Sequence, residues 1–170
     1  MTERSEQTGG EAAHELAVAR ALVAALRAAG EDVDDPRPRG SPDAVVSSPR
    51  GPIGIEVAEA FYEEATASAA RPWSTPAKGL EEGNPGAALA AQLNETLRDQ
   101  CRRAFGMPTY FVIDVRPAPP EGAAEGQALA AAITIPDGCR FARIFLRLSP
   151  PAGGDPVVVE VSSHRTVPAR

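Results

Sequence analysis

The stretch Glu11–Ala29 (EAAHELAVARALVAALRAA) is built from helix formers, sets Ala19, Leu22 and Leu26 on one side, and stops at Gly30, a residue suited to a helix C-cap. It predicts a first helix behind a flexible lead-in over residues 1–10. Residues 32–41, with Pro36, Pro38 and Gly40 set among charges, read as a connection. Two β-branched runs follow, Asp43–Ser47 and Ile53–Ala58, separated by Ser-Pro-Arg-Gly-Pro, and together they predict a hairpin. In the second run the period of two puts Ile53, Ile55 and Val57 on one face and Gly54, Glu56 and Ala58 on the other.

Beyond Phe61 no apolar period is sustained, and Pro72, Pro76, Gly79, Gly83 and Pro85 predict a long loop over residues 62–86. Helical spacing returns over Ala87–Phe105, where Leu89, Leu93, Leu97, Cys101 and Phe105 lie four apart, with an end near Gly106. Thr109–Val115 (TYFVIDV) is the strongest strand pattern, and its near-continuous apolarity predicts a central position covered on both faces. Gln127–Ala132 predicts a short helix, and Phe141–Leu148 with Val157–Val161 a closing hairpin. This order predicts a mixed-sheet α/β or α+β layer fold, one domain over residues 11–165 with a tail at 166–170.

A chain of 170 residues is the size of one ordinary domain, and its 43% apolar content with 5% aromatics implies a core of aliphatic side chains. The net charge of -6 argues against a surface that coats nucleic acid by counterion release, so any contact with DNA or RNA is expected to be local. Cys101 and Cys139 have no metal-type spacing and cannot build a disulfide framework, which predicts reduced packing residues. His14 and His164 are the only histidines, with no third ligand at zinc spacing, and structural or surface roles are expected for them. No basic start followed by an apolar core occurs, nor a run of about 18 apolar residues, so the expectation is a soluble, cytoplasmic protein without a membrane partner.

Three carboxylates stand where apolar residues are expected. Glu15 lies within roughly 40 degrees of Ala19, Leu22 and Leu26 around the helix axis, inside the apolar stripe. An exposed end of that stripe, helped by the helix dipole, would also accommodate it. Asp43 opens a strand directly after Pro42, as a turn residue bonding its own backbone or as a ligand. Glu56 sits between Ile55 and Val57, where a buried carboxylate needs pairing, protonation or a metal, and a wet strand face would instead solvate it. Converging at one sheet edge, such acids would suit a hard divalent cation able to activate water and to stabilise charge on a phosphodiester.

Glu15 on the first helix, Pro42-Asp43, and twelve intervening residues before Glu56-Val57-Ala58 form a pattern that resembles the PD-(D/E)XK nuclease superfamily. SPDAVV followed by GPIGIEVAE is similar to small bacterial members of it, and the likeness covers roughly residues 11–61. The resemblance implies a restriction-endonuclease-like fold, a central mixed β-sheet flanked by helices. It also implies Asp43 and Glu56 as Mg²⁺ or Mn²⁺ ligands, with Glu15 as an auxiliary acid on the same metal. The departure is Ala58, where the superfamily pattern has a lysine, since alanine offers neither a hydrogen bond nor a charge. Replacement cations are sought in Lys78 of the long loop, Arg50 of the turn, and Arg98 or Arg102 of the later helix, and Gln92 on that helix could also face the site. Two functions stay open. One is a metal-dependent nuclease hydrolysing phosphodiesters with Glu15, Asp43, Glu56 and Lys78 as its catalytic set. The other is a catalytically inactive domain of the same fold that serves as an interaction or regulatory module for a protein partner.

Overall fold

The computed structural model describes residues 3–61, 85–116, 123–148 and 154–161. Lys78, Trp73, His164 and nearly all of the loop expected over 62–86 lie outside them. The described residues form three helices, α1 (Glu3–Ala28), α2 (Pro85–Gln100) and α3 (Ala123–Ala132). They also form six strands, β1 (Arg37–Pro38), β2 (Ala44–Ser48), β3 (Gly51–Phe61), β4 (Thr109–Arg116), β5 (Arg143–Leu148) and β6 (Val157–Glu160). The strands make one open mixed sheet in chain order. β3, β4 and β5 run parallel, while β1 and β2 at one edge and β6 at the other are antiparallel to their neighbours. No helix among the described residues is long and apolar enough to cross a membrane.

The side-chain period of two along β3–β5 splits the core into two layers. Ile55, Val112 and Phe145 face α1, where Val18, Ala19, Leu22, Val23 and Leu26 close over them. Ala60, Phe111, Ile113, Val115, Ile144 and Leu146 face the other way, under Leu89, Leu93 and Leu97 of α2 and Leu129 of α3. β4 is thus covered on both faces, as its continuous apolarity predicts. The split along β3 also follows the predicted alternation, and it sends Glu56 to the α2 side.

Four local expectations are corrected. Residues 37–38 are not merely a connection, because they pair with Val45 and Ala44 as a short edge strand. α1 begins at Glu3 rather than Glu11. α2 ends at Gln100 rather than near Phe105, and a turn at 101–102 follows. The cysteines are not reduced: Cys101, just past the end of α2, is disulfide-bonded to Cys139 in the turn before β5. Cys101 satisfied the apolar spacing of its helix on its own, and the fold brings the two Cα atoms to 4.5 Å, a separation that a sequence distance of 38 residues does not reveal.

Candidate functional site

The β2–β3 hairpin carries two of the three anomalous acids. Its turn is fixed by Ser48, whose hydroxyl donates to the Gly51 carbonyl (2.8 Å) and accepts from the Arg50 amide (3.2 Å), and by Gly51 at φ 113°. At the far end, buried Pro42 lies flat on β3 over Gly54. A Cβ on Gly54 would stand 2.5 Å from Pro42 Cγ and 2.8 Å from Thr109 Oγ1, so only glycine admits this approach. Pairing of β2 with β3 runs to Ala44 opposite Ile55, and the next step along sets Asp43 beside Glu56. There the Val57 amide donates to Asp43 Oδ2 at 2.8 Å.

Glu56 is 4% exposed. Its Oε1 accepts from Arg103 Nη1, while Oε2 is buried with no partner among the described residues. Glu15 is half-buried on α1, one turn before Ala19, where its position in the apolar stripe points it at the sheet. The three acids act on one another. Burial raises the Glu15 carboxyl above its usual range, and the negative charges of Asp43, Glu11, Glu56 and Glu59 add to the effect. Burial also raises Asp43, offset by the Val57 amide and Arg103. Glu56 is raised by burial and by the Asp43 charge, against the opposing pull of Arg103 and of the Asp43 backbone amide. Asp43 and Glu56 are thus neighbours on the hairpin, while Glu15 reaches them from α1 only through its electrostatic influence; among the described residues, the acids and histidines within metal-holding distance of one another are His14, Glu59 and Asp114 and not these three.

The proposed replacement cations fare differently. Lys78 lies outside the described residues, and Arg50, Arg98 and Arg102 are exposed. Arg103, which sequence reasoning passed over, reaches Glu56, because α2 stops early and the turn after it swings this side chain toward β3. Nothing in RRAF distinguishes it from its neighbour Arg102. Gln92 is on α2, and its Oε1 is a second buried polar atom without a partner among the described residues.

A second charged cluster lies on the α1 side, at the C-terminal ends of β3–β5. Glu59, Asp114 and Arg147 sit side by side in register. Asp114 is fully buried and accepts from Arg147 Nη1 (2.6 Å) and Arg116 Nε (2.5 Å). His14 of α1 lies 2.8 Å from Glu59 and 3.1 Å from Asp114, and also contacts Arg116. Ligand atoms of His14, Glu59 and Asp114 fall within 4.8 Å of one another, a geometry able to hold a metal ion. Here the sequence did carry a signal: Asp114 interrupts TYFVIDV just as Glu56 interrupts its own strand. A half-open pocket of about 580 Å³ lies at this second cluster, lined by Gly10, Glu11, His14, Glu15, Val57, Glu59 and Arg116; Glu15 is the one of the three anomalous acids that lines it.

Of these groups, His14, Glu59 and Asp114 stand close enough together to hold a cation, with the Arg116 and Arg147 guanidinium groups beside them. Comparison of the chain with protein-family models, with curated proteins and with solved structures finds no match.

Proposed function

We propose that the chain is a divalent-cation-dependent phosphodiesterase of the PD-(D/E)XK kind, acting on DNA or RNA through local contacts, with Glu15, Asp43 and Glu56 as the acids that hold Mg²⁺ or Mn²⁺. The observation that carries this reading is Glu56 Oε2, a buried carboxylate oxygen left without a partner among the described residues, beside two further acids whose carboxyls are also pushed up. A buried unpaired charge is costly, and a hard cation on oxygen ligands is the ordinary remedy. A mixed sheet with helices on both faces, Asp43 and Glu56 at the β2–β3 hairpin and Glu15 on α1 supports this reading.

The donor set fits the ion: three carboxylates and no sulfur or imidazole. When bound, Mg²⁺ or Mn²⁺ supplies an activated water and neutralises charge on the phosphoryl group. The chain's own residues do the rest. Val57 fixes the Asp43 carboxylate through its amide, and Arg103 fixes one oxygen of Glu56. Glu15, which lines the pocket on α1, would complete the set of carboxylate oxygens for the ion.

The test is cleavage of labelled single- and double-stranded DNA and RNA in Mg²⁺, Mn²⁺ or EDTA, by the parent and by Asp43→Asn and Glu56→Gln. Metal-dependent cleavage lost in both variants is expected. Cleavage that persists in EDTA or in the acid variants overturns the proposal. A cation that stabilises the parent without any cleavage favours the regulatory-module reading instead.

A further inference from the structure

Ala58 leaves the acid site with no cation on its own strand, yet a site for a phosphodiester must receive a polyanion next to three carboxylates. We propose that Arg103, presented by the disulfide-tied turn after α2, is the phosphate-binding cation of this site. The inference rests on the phosphodiester reading above and names the group that contacts the substrate.

Arg103 Nη1 donates to Glu56 Oε1 and, at 3.0 Å, to Gln100 Oε1. Its guanidinium carbon stands 5.0 Å from the Phe105 ring centre. The group is held from two sides, while the side chain stays 44% exposed and Nε and Nη2 are bonded to none of the described residues. Guanidinium carries five donors in a planar fork, so the edge not used by Glu56 remains available for two phosphate oxygens. Because Glu56 and Gln100 already orient the fork, less side-chain freedom is lost on binding a phosphate.

The backbone under Arg103 is equally fixed. The Arg103 amide donates to the Gln100 carbonyl at 3.0 Å, and the Arg140 amide donates to the Cys101 carbonyl at 3.2 Å. The Cys101–Cys139 disulfide ties the same turn to the segment before β5. Arg50, Arg98 and Arg102 are exposed and lack such anchoring to the acids among the described residues. Arginine stays protonated at any working pH, so its role here is binding and charge and not proton transfer.

The experiment compares the parent with Arg103→Met, Arg103→Lys and the neighbouring control Arg102→Met. Fluorescence anisotropy of a labelled oligonucleotide in Ca²⁺ is read alongside cleavage in Mn²⁺ and melting with and without Mn²⁺. Arg103→Met is expected to weaken oligonucleotide binding at least fivefold and to lower cleavage by about a hundredfold, the scale of losing one preorganised donor. Arg103→Lys should recover part of the binding, Arg102→Met should match the parent, and the Mn²⁺ stabilisation of Arg103→Met should persist. Unchanged binding and cleavage in Arg103→Met overturns the inference while leaving the metal reading intact. Loss of the Mn²⁺ response and of cleavage in the parent overturns the metal reading, and the binding comparison then decides Arg103 alone. A parent that does not bind the oligonucleotide overturns the inference too.

Discussion

Glu56→Gln is the substitution that most directly probes the acid site, because it keeps the side-chain shape and removes one charge. The Glu56 side chain is 5% exposed, and its unpartnered Oε2 represents a desolvation cost of about 1–3 kcal/mol in the cation-free protein. Repulsion from Asp43 adds to it. Set against this gain is the lost charge-assisted bond from Arg103. That side chain is 44% exposed, so solvent screening holds the loss to about 1 kcal/mol or less and the guanidinium is left hydrated. Glu56→Gln is therefore expected to stabilise the cation-free protein by about 1 kcal/mol, a rise in melting temperature of roughly 2–4 °C for a chain of this length. With Mn²⁺ at a hundredfold excess over its dissociation constant, the parent should gain about 2.7 kcal/mol and the variant almost nothing. The order of stability thus reverses between EDTA and Mn²⁺, and melting followed by circular dichroism in both buffers reads the crossing. A variant less stable than the parent in EDTA and equally stabilised by Mn²⁺ would refute the reasoning, since Glu56 would then be a structural ion-pair partner.

Three further outcomes are expected. The carboxyls of Glu15, Asp43 and Glu56 are raised in the folded state, so the native protein binds more protons than the unfolded chain between about pH 4 and the folded values; their contribution to stability falls as pH rises through that window, and melting across pH should show a Mn²⁺ response that is absent near pH 4 and grows toward neutrality. Asp114→Asn removes the partner of two arginines from a fully buried position, with Arg147 only 15% exposed, and should cost about 3–5 kcal/mol in urea denaturation while the Mn²⁺ response persists. Reduction of Cys101–Cys139 opens a loop of 38 residues and should cost about 4 kcal/mol by loop entropy, seen as a lower melting temperature in dithiothreitol, with free thiols titrating only after reduction.

Periodicity made most of the fold legible. The stripe of Ala19, Leu22 and Leu26, the alternation along β3 and the unbroken apolarity of β4 each reflect a burial that one or two neighbouring layers impose, so the pattern survives in the linear sequence. The acids were legible for the same reason: Glu15 and Glu56 break those patterns, and Asp114 does so as plainly. What stayed hidden depends on where the chain turns. Arg103 and Arg102 differ by one position in sequence, yet the helix stop at Gln100 sends only the first to Glu56. Cys101 fits the apolar stripe of α2, and that fit concealed the partner that the turn before β5 brings to it.

Charge balance separates the two clusters. On the α1 side, Glu59 and Asp114 are opposed by Arg116 and Arg147, and His14 completes the contacts. A cation entering among His14, Glu59 and Asp114 would have to displace guanidinium groups that already pair with both carboxylates, which works against binding. Around the hairpin, Arg103 opposes Asp43 and Glu56, and Glu15 has no cation among the charges acting on it. Glu11 adds further negative charge beside Glu15 and Asp43, so carboxylates outnumber guanidinium groups there. The more compact ligand geometry thus belongs to a balanced structural network, and the unbalanced charge lies with the acids that the sequence pattern had already set apart. Mn²⁺ stabilisation that disappears in Glu56→Gln and persists in Asp114→Asn is the outcome this balance requires.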